Sequence, residues 1–150
     1  MAASGVTFTF NPNSQAPGEQ LNINFRDLIA CLVLVGAGEF TSSQLTGDQN
    51  NFSTANSEGN NIGVLRLSSD ASRTITGFGG GEQGRFLCLI NVGSFNIIIA
   101  NQSGSSTATN RVITGTGANI TMEADDVMKL YYDSTTARWR VWSFSDALWG

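Results

Sequence analysis

The stretch "YYDSTTARWRVW", residues 131–142, decides the fold. Two aromatic-rich runs flank "STTA", a polar link of the length that joins the two strands of a β-hairpin. Successive side chains of a strand point to opposite faces, so Trp139 and Val141 should face one way and Trp142 the other, together with the two arginines. The pattern therefore predicts one tryptophan in the core and one that is exposed or at an interface.

Short strand-like runs of the same kind fill the rest of the chain. Alternating "GVTFTF" and "LNINF" lie near the start, and the later runs are "IGVLRLSS", "SRTITGF", "GRFLCLINV", "FNIIIA", "NRVIT", "ANITM", "VMKLYYD" and "ARWRVWSF". Clusters of Gly, Ser, Asn or Asp separate them. Only 13% of residues are charged, which is also untypical of a helical protein. The sequence predicts an all-β protein, an antiparallel β-sandwich or jelly-roll-like single domain.

The domain organisation follows from the turn-rich segments. Residues 1–20 read as an N-terminal arm that holds both prolines, and residues 21–150 as one β-sandwich domain. The apolar run "LIACLVLV", residues 28–35, fits either a buried strand or a short helix. Residues 36–61 read as a long polar loop in which, from Thr41 onward, Leu45 and Phe52 are the large apolar side chains. We expect that loop to lie on a neighbouring molecule or on the exterior, ordered by a partner.

Charge and cysteine content restrict the possible partners. The net charge is −4 and the basic residues are not clustered, which argues against nucleic-acid binding. No apolar run is long enough to cross a membrane as a helix, and no signal peptide is evident. Cys31 and Cys88 each lie in an apolar run and are interpreted as free buried thiols of a protein made in a reducing cytoplasm, with a disulfide left as the alternative.

The catalytic inventory is small. The chain has no histidine, which excludes Ser-His-Asp and Cys-His nucleophile systems and His-ligated zinc. Glu123, Asp125 and Asp126 are the one tight acidic group in the sequence, and carboxylates are the ligands of calcium sites and the acid pair of glycosidases. The group falls in a turn between two strands, and "GGGEQG", residues 79–84, matches a dinucleotide fingerprint only in letters because no helix follows. We therefore expect no catalytic residues, no cofactor and no metal.

Exposed aromatic side chains are the better functional candidates. Trp142, Trp149, Tyr132 and Phe144 are candidates for a sugar-binding platform, although a core position is favoured for the same rings. The ending "SFSDALWG" would expose apolar side chains in a monomer, which predicts an interface. The interface candidates are Phe144, Leu148, Trp149, Trp142 and Phe52. The sequons at Asn51, Asn101 and Asn119 are interpreted as coincidental.

From Val64 to Trp142 the sequence resembles a β-structured module of structural proteins of tailed bacteriophages, found in head decoration or head-fibre proteins and in tail-fibre ends. The residues that carry the resemblance are "GR" before an apolar strand, "INVGS" at a strand end, "STATNR" in a loop, and the closing "YYD" and "RWRV" hairpin. The resemblance implies a trimeric β-sandwich on a virion surface and transfers no catalytic residues.

Three functions follow as hypotheses. The leading one is a homotrimeric capsid decoration or cement protein that binds the major capsid protein or another virion protein and is made in the host cytoplasm. The second is a tail-fibre or tail-tip protein that recognises host surface glycan with exposed aromatic and Asn side chains. The third, a small hydrolase that depends on Glu123, Asp125 and Asp126, is the least favoured.

Overall fold

The structure is a computed structural model that describes residues 38–145. The predicted arm, the run 28–35, Cys31, Leu148 and Trp149 lie outside the described residues. Within residues 38–145 the strands are β1 (Glu39–Thr41), β2 (Val64–Leu67), β3 (Arg73–Ile75), β4 (Phe86–Asn91), β5 (Ile97–Ile99), β6 (Val112–Ile113), β7 (Ile120–Met122), β8 (Val127–Asp133) and β9 (Arg138–Ser145). One 3₁₀ turn, Ala108–Asn110, precedes β6. The all-β prediction is confirmed.

The strands form two sheets with mixed directions. The larger sheet has the order β1-β2-β4-β8-β9-β6 and the smaller has β3-β5-β7. Neighbours β4-β8, β8-β9 and β5-β7 are antiparallel, whereas β1-β2, β2-β4, β3-β5 and β6-β9 are parallel. The predicted antiparallel arrangement is therefore wrong for the four parallel pairs. Alternation of apolar side chains reports which face a residue occupies and not which direction the neighbouring strand runs.

The parallel pairs arise because the chain winds in coils of similar length. Glu39 pairs with Val64 and Val64 with Cys88, so each partner lies 24 or 25 residues further along. Isolated bridges join Leu45 to Ser69 and Phe52 to Phe78 with nearly the same separation. The described residues thus contain stacked coils, in the manner of a β-solenoid, closed by the antiparallel strands β7, β8 and β9.

Both sheets contribute to one hydrophobic core. Fully buried side chains from the larger sheet include Leu65, Leu89 and Leu130, and those from the smaller sheet include Ile75 and Ile99. Each alternates along its strand with a more exposed residue, as the burial of β2, β4 and β8 shows. Burying one such side chain contributes about 1.5–3 kcal/mol, so this layer holds the two sheets together.

The polar segment predicted to be a loop on the exterior is partly built into the core. It contains β1, and Leu45 is buried among the core side chains while its N–H donates to Ser68 O at 2.8 Å. The Phe52 ring is half-buried and meets Phe78 edge to face at 6.4 Å. The expectation that this segment avoids the core is therefore wrong for these side chains, although most of its polar side chains are exposed. The next coil lies 24–26 residues further along the chain and supplies hydrogen-bond partners for the backbone of this segment. The composition of the segment does not reveal these partners.

A buried arginine ties this segment to the core. The guanidinium of Arg85, fully buried, donates to Thr54 Oγ1 at 2.8 Å, to Thr54 O at 3.1 Å, to Ile62 O at 2.9 Å and to Gly80 O. Its Cζ lies 5.5 Å from the centre of the Trp139 ring. Burial lowers the pKa of Arg85 to about 10, because desolvation disfavours the charged form. Among residues 38–145 no carboxylate lies within ion-pair distance of it, so carbonyl oxygens and an aromatic face stabilise the charge.

Candidate functional site

The outward face of the larger sheet presents an aromatic cluster. Phe86 on β4 lies directly opposite Tyr131 on β8, and Tyr131 lies opposite Arg140 on β9. Trp142 follows Arg140 along β9 and is 64% exposed, while Phe86 is 48% exposed. We call Phe86, Tyr131 and Trp142 the aromatic face. It lies on the side of the sheet opposite the core, because these residues alternate with the buried Leu87 and Leu130 and the partly buried Val141.

A β-bulge lies at Trp142. Lys129 pairs with Ser143 but the next residue, Leu130, pairs with Val141, so Trp142 is the extra residue of β9. A bulge inserts one residue, re-aims its side chain and shifts the alternation of the strand. As a result Val141 and Phe144, three positions apart, both pack against the core. Trp142 itself keeps the outward direction that alternation from Trp139 gives it.

The three rings contact one another through edges and faces. The centre of the Trp142 ring is 5.5 Å from that of Phe86, with an interplanar angle of 61°, and 5.7 Å from that of Tyr131, with an angle of 84°. Edge-to-face contacts at this distance are favourable. Phe86 and Trp142 are two strands apart, so the indole reaches across β8 and the cluster forms one continuous apolar surface.

A shallow apolar depression of about 250 Å³ lies beside the aromatic face. It is lined by Gly63, Phe86, Leu87, Cys88, Lys129 and Leu130. Cys88 is a free thiol that is half-buried, and burial raises the pKa of this thiol, an effect that Lys129 partly opposes. A raised pKa keeps the thiol protonated at neutral pH, so Cys88 lacks the thiolate character of a nucleophile. The depression suits a small group held by contact rather than by chemistry.

A salt bridge orders the end of the hairpin beside the aromatic face. Arg140 Nε donates to Asp133 Oδ2 at 2.7 Å, and the hydroxyl of Thr136 donates to the same oxygen at 2.8 Å. The Arg140 hydrogen bond, with Thr136 next, lowers the pKa of Asp133 to about 2. The "STTA" link is the predicted hairpin turn, with Ala137 at φ +51°.

This pKa shift predicts a dependence of stability on acidity. The carboxyl has a lower pKa in the folded chain, about 2, than the 3.8 of an unperturbed group, so its stabilising contribution is complete above about pH 4 and is lost as the pH falls through about 2. Thermal unfolding of wild type and Asp133→Asn should therefore differ by a constant amount above about pH 5 and converge towards about pH 2. When Arg140→Gln is also present, Asp133→Asn should change thermal stability much less at every pH. Most of the convergence at low pH should then disappear. A difference that persists unchanged to about pH 2 would contradict the assignment.

The predicted site residues occupy different environments. Trp139 is fully buried and Trp142 is exposed, which confirms the prediction of one core and one outward tryptophan. Tyr132, a candidate for the sugar platform, is buried against Trp139 at 5.3 Å, and Phe144 packs on the core. Of the candidates within residues 38–145, the structure thus brings only Trp142 to the aromatic face. Phe86 and Tyr131 were missed, although Phe86 stands in the strand "FLCLIN", which is apolar on both faces.

The acidic group is part of a turn. The buried Asp126 accepts a hydrogen bond from Glu123 N at 2.7 Å, and Asp125 has a φ of +66°. The side-chain amide of buried Asn91 donates to Glu123 O at 2.9 Å and to Met122 O at 3.1 Å. Throughout residues 38–145, no three His, Cys, Asp or Glu side chains are placed to hold a metal ion. The contacts of this group are those of a turn that closes β7 onto β8.

The three sequon asparagines hold loops in place. Asn51 Oδ1 accepts from Thr107 N at 2.8 Å and from Asn110 Nδ2 at 2.9 Å. Asn101 Oδ1 accepts from Thr114 N at 3.1 Å, and Asn119 Oδ1 accepts from Asn101 N at 2.9 Å. Each asparagine therefore replaces a backbone partner in a turn-rich region.

Comparison with known proteins identifies the family. A family model described as the phage depolymerase C-terminal beta sandwich domain, a tail-associated phage module, matches residues 44–140. No curated protein and no solved structure matches the chain. In the part of the chain that the structure describes, no helix is long and apolar enough to cross a membrane. The match includes part of the polar segment that stacks on the next coil, and it confirms the resemblance to a β-structured phage module. With about two-thirds of its length matched, the chain belongs to the family of phage depolymerase C-terminal β-sandwich domains.

Proposed function

We propose that this chain is a non-catalytic glycan-binding module of a bacteriophage tail protein and that the aromatic face is its binding site. The observation that carries the proposal is Trp142, whose exposed ring lies on the outward face against Phe86 and Tyr131. A domain does not need an exposed indole in a hairpin to bury its core. An exposed apolar cluster of this kind is typical of a binding surface.

The chemistry of the aromatic face suits a sugar ring. Flat apolar rings cover the C–H face of a pyranose, while the sugar hydroxyls at its edge remain in water or bind polar neighbours. Removing apolar surface from water contributes about 25 cal/mol per Å², so a site of this size supports weak binding by one module. Several copies on one virion would raise the avidity.

The tail location is favoured over the capsid. The matching family is a tail-associated β-module, which supports the second of the three hypotheses better than a capsid decoration protein. A homotrimer remains our proposal for the assembly, with Phe144, Leu148 and Trp149 as candidate contacts. Of the other two interface candidates, we assign Trp142 to ligand binding and Phe52 to the contact between stacked coils.

Substituting Trp142 tests the site. Trp142→Ala should weaken binding to a responding polysaccharide about tenfold or more, because loss of a stacking ring costs about 1.4 kcal/mol or above. The measurement is an array of bacterial surface polysaccharides followed by titration calorimetry on the polymers that bind. Far-UV circular dichroism verifies that the variant is folded.

The control is Phe95→Ala. Phe95 is 49% exposed and lies between β4 and β5, outside the aromatic face. This variant should bind as wild type does. Equal loss in both variants, or no polysaccharide bound by wild type, would refute the proposed function.

A further inference from the structure

We infer that the ligand of the aromatic face is an anionic polysaccharide whose sugar units carry carboxylates, as uronic acids do, and that Lys129 binds the carboxylate. The inference rests on the proposed function and specifies the chemical class of its ligand.

Charge is distributed unevenly over the described residues. The outward face of the larger sheet carries two acidic and four basic side chains. These are Glu39, Asp133, Arg66, Lys129, Arg138 and Arg140. Residues 38–145 outside this face carry three basic and seven acidic side chains. Within residues 38–145, the aromatic face therefore lies on a net basic surface, whereas the remaining residues are net acidic. Complementary charge raises the local concentration of an anionic ligand and orients it.

Three of these four basic groups already have partners. Arg140 binds Asp133, and Arg66 Nε lies 3.8 Å from Glu39 Oε1. Arg138 donates to Gln102 Oε1 at 3.2 Å and to Ala137 O at 2.9 Å. Lys129 is exposed and, within the part of the chain that the structure describes, forms no ion pair.

Lys129 is positioned beside the rings. It precedes Tyr131 by two residues on the same face of β8, and its cross-strand neighbours are Cys88 on β4 and Ser143 on β9. It also lines the depression next to Phe86. A sugar stacked on Trp142 thus has the ammonium group at its edge, where a ring substituent projects.

A carboxylate fits this arrangement better than a phosphate. Phosphate is bound most effectively by the two-pronged guanidinium of arginine, and the guanidinium of Arg140, which lies opposite Tyr131, is engaged with Asp133. A single ammonium is a point charge that matches one negative charge for each sugar unit. Uronic acid polymers supply that pattern.

The experiment uses the full chain and pairs of polysaccharides that differ only in charge. Each uronate-bearing polymer is presented beside its carboxyl-reduced form, in which the carboxylates have become primary alcohols. Wild type should bind the carboxylated member about threefold or more tightly at low salt, and the preference should shrink as salt rises. Lys129→Gln should lose the preference and keep the affinity for the reduced member.

The control is Arg73→Gln, which changes the net charge equally on the smaller sheet, where Arg73 pairs with Asp70 at 2.8 Å. This variant should retain the preference. Equal binding of both members by wild type, with loss of both in Trp142→Ala, would overturn the carboxylate assignment and leave the proposed function standing. Equal loss of preference in Arg73→Gln and Lys129→Gln would also overturn it. No binding to either member would refute the proposed function itself.

Discussion

Replacement of Trp139 with alanine is expected to lower the free energy of unfolding by about 4 kcal/mol, because it removes a large, fully buried ring from a core that cannot close the gap. The indole also donates to Phe78 O at 2.8 Å and meets Tyr132 edge to face at 5.3 Å. Its loss leaves a buried carbonyl without that donor. Urea unfolding, followed by far-UV circular dichroism, measures the change.

Trp142→Ala is the control for this prediction, since it is the same substitution on the same strand. Its ring is 64% exposed, so its loss should change the free energy of unfolding by about 0.5 kcal/mol or less. The two variants therefore separate the roles of the two tryptophans, one in stability and one in binding. Similar destabilisation by both would contradict the assignment of opposite faces.

The second large effect is expected for Arg85→Met, which should lower the free energy of unfolding by about 3–5 kcal/mol. Methionine fills much of the same volume but donates no hydrogen bond. The buried oxygens of Ile62 and Gly80 would lose the guanidinium, and the contact with the Trp139 ring would be lost. Removal of a desolvated charge offsets only part of this cost. The midpoint and slope of urea unfolding report the change.

Arg66→Met is the matched control for Arg85. Arg66 stands on the outward face of β2, its side chain is 38% exposed, and its contact with Glu39 is long at 3.8 Å. Exposed ion pairs contribute about 0–1 kcal/mol, so this variant should remain close to wild type. If Arg85→Met were no more destabilising than Arg66→Met, the buried guanidinium would have no stabilising role.

The sequence was sufficient to predict β2 to β9, although not β1. Alternation in "RWRVW" correctly predicts one core and one outward tryptophan, and the polar link that precedes this run is a hairpin turn. Such features depend on residues that are close in the chain. A period of two in hydrophobicity is therefore enough to reveal them.

Strand direction was not predictable, because it depends on residues about 24 positions apart. Val64 pairs with Cys88, and Arg73 pairs with Ile97. The sequences of the successive coils that these pairs join have little in common beyond apolar character. The same reason explains why the polar segment was assigned to the exterior. Leu45 looks isolated in the sequence, and only the coil that follows gives it a buried position.

Of the three residues of the aromatic face, one, Trp142, was a candidate from the sequence. Trp142 is exposed by simple alternation, but its contact with Phe86 needs a register shift between Lys129 and Leu130 that no local pattern shows. Phe86 and Tyr131 could equally have been buried, since both occupy strands with apolar side chains on each face. Only the pairing of β4 with β8 reveals them as neighbours.

The stacked coils have a consequence for how this chain reaches its native state. Each parallel pair joins residues about two dozen positions apart, so chain entropy must be lost before any contact energy is gained. Topologies dominated by such distant pairings fold slowly, within about milliseconds to seconds. Contacts that form after the transition state slow unfolding, which gives kinetic stability. A particle that is assembled once and then persists outside a cell benefits more from a long native lifetime than from rapid refolding.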